Sequence, residues 1–130
     1  MRVLFVCIHN ACRSQMAEAF FNHLAKGASA SSAGSKPDDK IDPKTIEVMK
    51  EKGLDIGGKT PSGYSLHMGK QFDYVVTMGC KEDCPITPAG RTIPWNIEDP
   101  KGKPVGEYRR VRDMVEQKVL SLIKELGLNA

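Results

Sequence analysis

Cys7, Arg13, Ser14 and Asp99 are the residues of this chain whose types and spacing could do chemistry together. The first three lie in one stretch, Cys7-Ile8-His9-Asn10-Ala11-Cys12-Arg13-Ser14. An arginine near a cysteine can fork two N–H donors onto an oxyanion. Backbone N–H groups of a tight loop converge on one point, and a helix N-terminus behind them adds positive potential. Ile8, His9, Asn10, Ala11, Cys12 and Arg13 would supply that cradle. The same field favours thiolate over thiol, which makes a cysteine nucleophilic. Ser14 can donate a hydrogen bond to the thiolate. A cysteine packed at a strand end is the plain alternative, but it does not account for Arg and Ser at this spacing.

Such a loop needs a strand before it and a helix after it. The run Val3, Leu4, Phe5, Val6 reads as a short buried strand. Ala17, Phe20, Phe21, Leu24 and Ala25 follow at i, i+3, i+4, i+7 and i+8, a helical stripe that Gly27 is expected to stop as C′ residue. Residues 29–33 suit a second strand and 34–40 a loop. Asp42 caps a helix with Pro43 at its first position, and Gly53 ends it. Ile46, Val48 and Met49 give that helix an apolar side. A short helix is expected over 64–69. Residues 72–78 are β-branched and aromatic and read as a central strand. Residues 91–95 read as a last strand, and 107–126 as a final helix with Tyr108, Val111, Val115, Val119, Leu122 and Leu126 inward.

Strands alternating with helices predict a single α/β domain, an open doubly wound sheet of about four parallel strands flanked by helices. Ligands in such sheets sit beyond the carboxyl ends of the strands. The Cys7 loop, the segment at Cys80 and the Asp99 loop all follow strands, so they should meet at one rim. Asp99 precedes Pro100, which pushes it out of the α region onto an extended loop. From there its carboxylic acid could protonate a departing oxygen.

Cys80 and Cys84 are the remaining cysteines. On a helix, four residues rise about 6 Å and return to nearly the same face, within the span a disulfide can bridge. Zinc and a pair of inert buried thiols are the competing readings, although Cys7 and Cys12 do not complete a zinc ligand set of the usual spacing.

Composition narrows the rest. The chain has 130 residues and a net charge of +3, with 40% hydrophobic residues, so one core is expected. No apolar run is long enough to span a membrane, and no signal peptide is evident. The expected compartment is the cytoplasm, where a disulfide is catalytic more often than structural. Lysines are scattered with no aromatic-interleaved basic stripe, which argues against nucleic acid. Arg109, Arg110 and Arg112 form the densest basic run, read as a solvated helix face, with a docking patch as the alternative.

The Cys-x5-Arg-Ser stretch resembles the phosphate loop of low-molecular-weight protein tyrosine phosphatases and of the arsenate reductases built on the same fold. That family carries its general acid in an Asp-Pro, which Asp99-Pro100 matches. Met16-Ala17-Glu18-Ala19, Ser32-Ala33-Gly34 and Arg110-Val111-Arg112-Asp113 extend the resemblance over nearly the whole chain. The phosphatases tend to carry an aromatic after the Asp-Pro; Lys101 and Gly102 stand there instead. Thioredoxin-coupled arsenate reductases add two redox cysteines after the central strand, and Val75-Val76-Thr77-Met78-Gly79-Cys80 followed by Cys84-Pro85-Ile86 looks like that pattern.

The resemblance therefore implies reduction of arsenate to arsenite by a three-cysteine relay. Cys7 attacks, Cys80 and Cys84 resolve, and thioredoxin restores the thiols. Residual phosphatase activity is compatible with the same loop. It implies no tightly bound cofactor, but a potassium ion in some members. Asn10, Glu18 and Ser32 match that site, and Ser62 stands where a carboxylate is expected. Cys12 matches a second loop cysteine, read as packing, with overoxidation or off-path pairing as the alternative. His9 replaces a usual Gly, and its side chain is expected to point outward; Ala11 replaces a usual Ser. The other functions consistent with these residues are a phosphatase working through a phosphocysteine and a non-enzymatic redox or anion-sensing module.

Overall fold

A computed structural model describes residues 1–63, 71–78 and 89–128. Among them run β1 (Arg2–Cys7), α1 (Arg13–Leu24), β2 (Ser29–Gly34), α2 (Pro43–Lys50), β3 (Phe72–Thr77), β4 (Ala89–Pro94) and α3 (Val105–Glu125). The short helix expected over 64–69, and the cysteines at 80 and 84, lie outside the described residues.

The four strands form one sheet in the order β2-β1-β3-β4, and every pair is parallel. The chain steps from β1 outward to β2, then crosses back to β3 and on to β4. Strand order thus reverses between β1 and β3, at the switch point where open α/β sheets bind ligands. β1 is central, and Val3, Leu4 and Phe5 are fully buried on it. A strand buried on both faces cannot alternate apolar with polar, which is why its apolar run is continuous.

The period-2 geometry sorts β1 onto two faces. Val3, Phe5 and Cys7 join the main core with α1, α2 and α3, whereas Leu4 and Val6 join Ala33, Phe72 and Val75. Phe5 is the hinge of the main core. Its ring meets Phe21 edge-on at 5.9 Å and Trp95 at 5.6 Å, contacts worth about 0.5–1.5 kcal/mol each beyond the area they bury. The Trp95 contact matters for the site, because Trp95 begins the segment that leads to Asp99.

Helix ends follow the sequence at both ends of α2 and at the C-terminal end of α3. Asp42 accepts from the Lys44 N–H at 3.0 Å with Pro43 in the first turn, as expected. Gly53 and Gly127 both adopt positive φ, and the residue after each donates back to the helix: Leu54 N–H to Met49 and Leu128 N–H to Ile123. Gly27 is not the C′ residue of α1. That helix stops at Leu24 with Ala25 extended, and Gly27 serves the turn beyond. The cause is Asn22, whose side chain pairs with both the N–H and C=O of Ala30 and draws the chain into β2. α3 starts at Val105, two residues earlier than expected, and β4 spans Ala89–Pro94 instead of 91–95.

In the arginine run, Arg109 and Arg110 lie on an exposed face as expected, and Arg112 departs from it. Arg112 is buried and donates to the Val48 carbonyl and to Glu51, tying α3 to α2. Arg109 makes a forked pair with Glu51, and Arg110 reaches Glu98 and Glu107. Hydrogen bonds from Arg109 and then Arg112 hold the Glu51 carboxyl at about 2. Charges matched within the fold leave little for an acidic partner. Among the described residues no helix is long and apolar enough to cross a membrane.

Candidate active site

The loop from Cys7 to Arg13 is shaped by where its carbonyls go. Those of Cys7, Ile8, His9 and Ala11 accept from the N–H groups of Ser35, Lys36, Asp38 and Asp42. The segment after β2 therefore laces the loop along one side through these four carbonyls. β1 and β2 are in register so that Cys7 lies beside Gly34. A Cβ on Gly34 would fall 2.5 Å from the Ile8 oxygen and 2.9 Å from the Asn10 nitrogen. Both are backbone atoms of the loop and cannot step aside. Gly34→Ala is thus expected to shift the cradle and cut turnover by roughly 10²-fold, the usual cost of a small misplacement at a reacting centre. Steady-state kinetics beside a melting curve checks this, since a drop in stability alone would leave the rate of the folded fraction unchanged.

Asn10 makes the tight turn possible. It is fully buried and holds φ at 51°, a left-handed conformation asparagine tolerates better than most residues. Its side chain also fixes a proton. The Asn10 Oδ1 accepts from the Ser62 N–H at 2.8 Å and from Gln15 at 3.0 Å. A backbone N–H can only donate, so the amide orientation is settled. The Asn10 Nδ2 therefore donates to the Ser14 Oγ at 2.7 Å. Ser14 in turn lies 2.8 Å from the Cys7 Sγ, and once the sulfur is a thiolate only the Ser14 hydroxyl can donate in that contact. Ser14 thus presents to Cys7 the hydrogen bond that a thiolate accepts.

Arg13 is 4% exposed, a depth at which a guanidinium needs fixed partners. Its Nη1 donates to the Ile97 carbonyl at 2.9 Å, and its Nη2 lies 3.6 Å from the Asp99 Oδ2. Asp99 is steadied by the Lys101 N–H on its other oxygen at 3.1 Å. Its loop is pinned on both sides: Glu98 pairs with Lys103 and Arg110, and Lys44 donates to the Lys103 carbonyl. Cys7, Arg13 and Asp99 line one small pocket, with half-exposed His9, Asp38 and Lys101 around it. A wider groove lies between β4 and α3 at Trp95, Met114 and Leu122, and it brings together no such set.

His9 does not simply point outward. Its Nδ1 lies 3.3 Å from the Lys36 carbonyl and 3.5 Å from the Asp38 carboxylate. Cys12 is buried against the core, and that burial pushes its thiol up to about 12. A thiol held protonated is a poor nucleophile and a poor target for oxidants, which fits packing better than off-path chemistry. Ile8 and Ala11 contribute backbone to the loop, and Ile8 packs with the smaller apolar cluster.

Gly34, Gln15, Asp38 and Lys59 belong to this site without having been read from the sequence as functional. Gly34 carried a signal, since it ends Ser32-Ala33-Gly34. Asp38 and Lys59 carried none, because each acts through a long-range contact, and Gln15 acts locally through its bond to Asn10.

The residues matched to a potassium site do not fit one. Glu18 Oε2 accepts from the Lys59 ammonium at 3.1 Å, and Oε1 accepts from the Ser32 hydroxyl at 3.3 Å. The Asn10 carbonyl oxygen already has two donors. A second cation beside Glu18 would meet the Lys59 charge at close range.

Comparison with known proteins agrees with this geometry. The family model for low molecular weight phosphotyrosine protein phosphatase matches residues 2–130. The chain is 34% identical over 129 residues to a glutaredoxin arsenate reductase of Synechocystis sp., covering 97% of this chain and 98% of the relative. It superposes on the arsenate reductase of Archaeoglobus fulgidus with a TM-score of 0.83 at 38% identity, over 94% of this chain and 98% of that one. A thioredoxin-dependent arsenate reductase of Corynebacterium glutamicum gives 0.77 at 31% identity, over 97% of this chain and 61% of that one. Matched by that family model over almost its whole length and sharing the fold of such relatives, this chain belongs to the low molecular weight phosphotyrosine protein phosphatase family.

Proposed function

We propose that this protein reduces arsenate to arsenite through cysteine thiols. The observation that carries the reading is the Cys7 sulfur, oriented by Ser14 and facing a pocket shared with Arg13 and Asp99. Loop amides and Arg13 hold the tetrahedral oxyanion. The Cys7 thiolate attacks arsenic, an S–As bond forms, and one oxygen leaves as water with the proton of Asp99. The Cys80 thiolate then attacks the Cys7 sulfur. The S–As electron pair passes to arsenic, which departs as arsenite, and two thiols have become a Cys7–Cys80 disulfide. Cys84 attacks Cys80, frees Cys7 and leaves a Cys80–Cys84 disulfide for an external dithiol to reduce.

Names of relatives support arsenate as substrate, and they point to two kinds of reductant, thioredoxin and glutaredoxin. The two redox cysteines and an intracellular dithiol donor make thioredoxin in the cytoplasm the first choice. The test is arsenate-dependent NADPH oxidation by the purified protein, with thioredoxin and its reductase in one arm and glutaredoxin with glutathione in the other. Turnover in the thioredoxin arm is expected. Silence in both arms with brisk hydrolysis of an aryl phosphate would put a phosphatase, acting through phosphocysteine and water, in its place. Silence in all three would leave the redox or anion-sensing module.

Asp99→Asn is expected to lower turnover by roughly 10²–10⁴-fold, the span of a lost general acid, with oxyanion affinity retained. The variant's pH–rate profile should lose one limb. An unchanged profile would remove Asp99 from proton transfer.

A further inference from the structure

Glu18 is a carboxylate on α1 with a side chain only 12% exposed, and its neighbour in space is Lys59, a residue on a turn 41 positions later in the chain. A carboxylate at this depth is costly without a countercharge. Lys59 provides it at 3.1 Å. Hydrogen bonds relayed through the bodies of Ser32 and Ser62 connect the same pair to the residues that face the nucleophile. Glu18 accepts from the Ser32 hydroxyl, and the Ser32 carbonyl accepts from the Ser62 hydroxyl at 3.0 Å. Ser62 N–H holds the Asn10 carbonyl oxygen, Asn10 holds Ser14, and Ser14 faces Cys7. The Ser62 carbonyl also accepts from the Gly34 N–H at 2.9 Å, so the turn is fastened to the strand beside the loop.

We infer that Lys59 is a positioning residue whose ammonium does the work of a bound monovalent cation, clamping the 59–62 turn onto Glu18 and so holding Asn10 and Ser14 toward Cys7. An ammonium and a potassium ion carry the same charge and are close in size. A covalently supplied one is always present and needs no coordination sphere. The protein therefore works at full rate without added potassium. Removing the ammonium leaves Glu18 unpaired and opens a place that a free ion can take. This inference rests on Cys7 as the nucleophile and not on arsenate as the substrate, so it can be read from the thiol alone.

The experiment compares the parent with Lys59→Met in sodium and in potassium chloride at equal ionic strength. Three quantities are read: the rate of Cys7 alkylation by iodoacetamide, located by peptide mapping, the melting temperature, and turnover. The parent is expected to give the same values in both salts. Lys59→Met in sodium should alkylate Cys7 and turn over more slowly, on the order of ten- to a hundredfold, as for other losses of alignment at a reacting group. Potassium, and not sodium, should restore most of the alkylation rate and raise the melting temperature. Lys59→Arg, which keeps a cation within reach, should behave like the parent in either salt and covers the case in which the Met variant folds poorly. A parent that already responds to potassium overturns the inference. So does a Lys59→Met variant that alkylates Cys7 at the parent rate, or one that potassium does not rescue.

Discussion

Cys7→Ser is expected to abolish the proposed arsenate reduction and any aryl phosphate hydrolysis together, each by on the order of 10⁴-fold or more, as for loss of a covalent nucleophile. Both reactions begin with sulfur attack on a tetrahedral oxyanion, so one substitution removes both. The replacement is nearly isosteric, and Cys7 is 2% exposed within a packed loop. Little structural change is expected, and phosphate should still protect the variant against thermal unfolding. The difference is chemical. A hydroxyl facing Ser14 stays protonated where a thiol can ionise, so no nucleophile is present at neutral pH. Rates above trace for either reaction would show that the attacking atom lies elsewhere.

On the proposed relay, Cys84→Ser is expected to complete one turnover with arsenate and then stop. One arsenite is released per protein, and a Cys7–Cys80 disulfide accumulates that peptide mapping can locate. Cys80→Ser is expected to stall earlier, before any disulfide at Cys7, because the thiol proposed to displace arsenic is missing. Steady-state turnover falls to the detection limit in both variants, an effect as large as losing the nucleophile. A phosphatase is indifferent to both changes, since water hydrolyses phosphocysteine. Zinc ligation predicts loss of metal and of stability instead. If both variants turn over with thioredoxin like the parent, the relay fails and hydrolysis takes first place.

How much of this was legible in the sequence depends on the range of the interactions involved. β1 was readable because a doubly buried strand leaves a continuous apolar run. The Asp42–Pro43 helix start was readable because capping is decided by adjacent residues. The Cys7 loop was readable because its chemistry sits in one stretch of sequence. The end of α1 was not, since Asn22 acts across to Ala30 and overrides the glycine signal at 27. Arg112 looked like one of three surface charges until α2 supplied Val48 and Glu51 as partners. Lys59 lies in a turn with no periodicity, and only the folded chain brings it to Glu18. His9 was read as outward, and Asp38 and the Lys36 carbonyl draw it to the rim instead.

The carbonyl lacing of the Cys7 loop has a consequence for how freely such a site can be rewritten. The bonds from Ser35, Lys36, Asp38 and Asp42 are all donated by main-chain N–H groups to main-chain oxygens. None of them depends on which side chain stands at 8, 9 or 11. The loop's shape is therefore a property of the backbone path, fixed by Gly34 and Asn10. Mutation can sample His9 at the rim without unmaking the cradle, whereas Ala11 is buried and Ile8 packs on the smaller apolar cluster. A scaffold of this kind lets the rim change its charge, bulk and clientele while the anion-holding geometry is inherited intact.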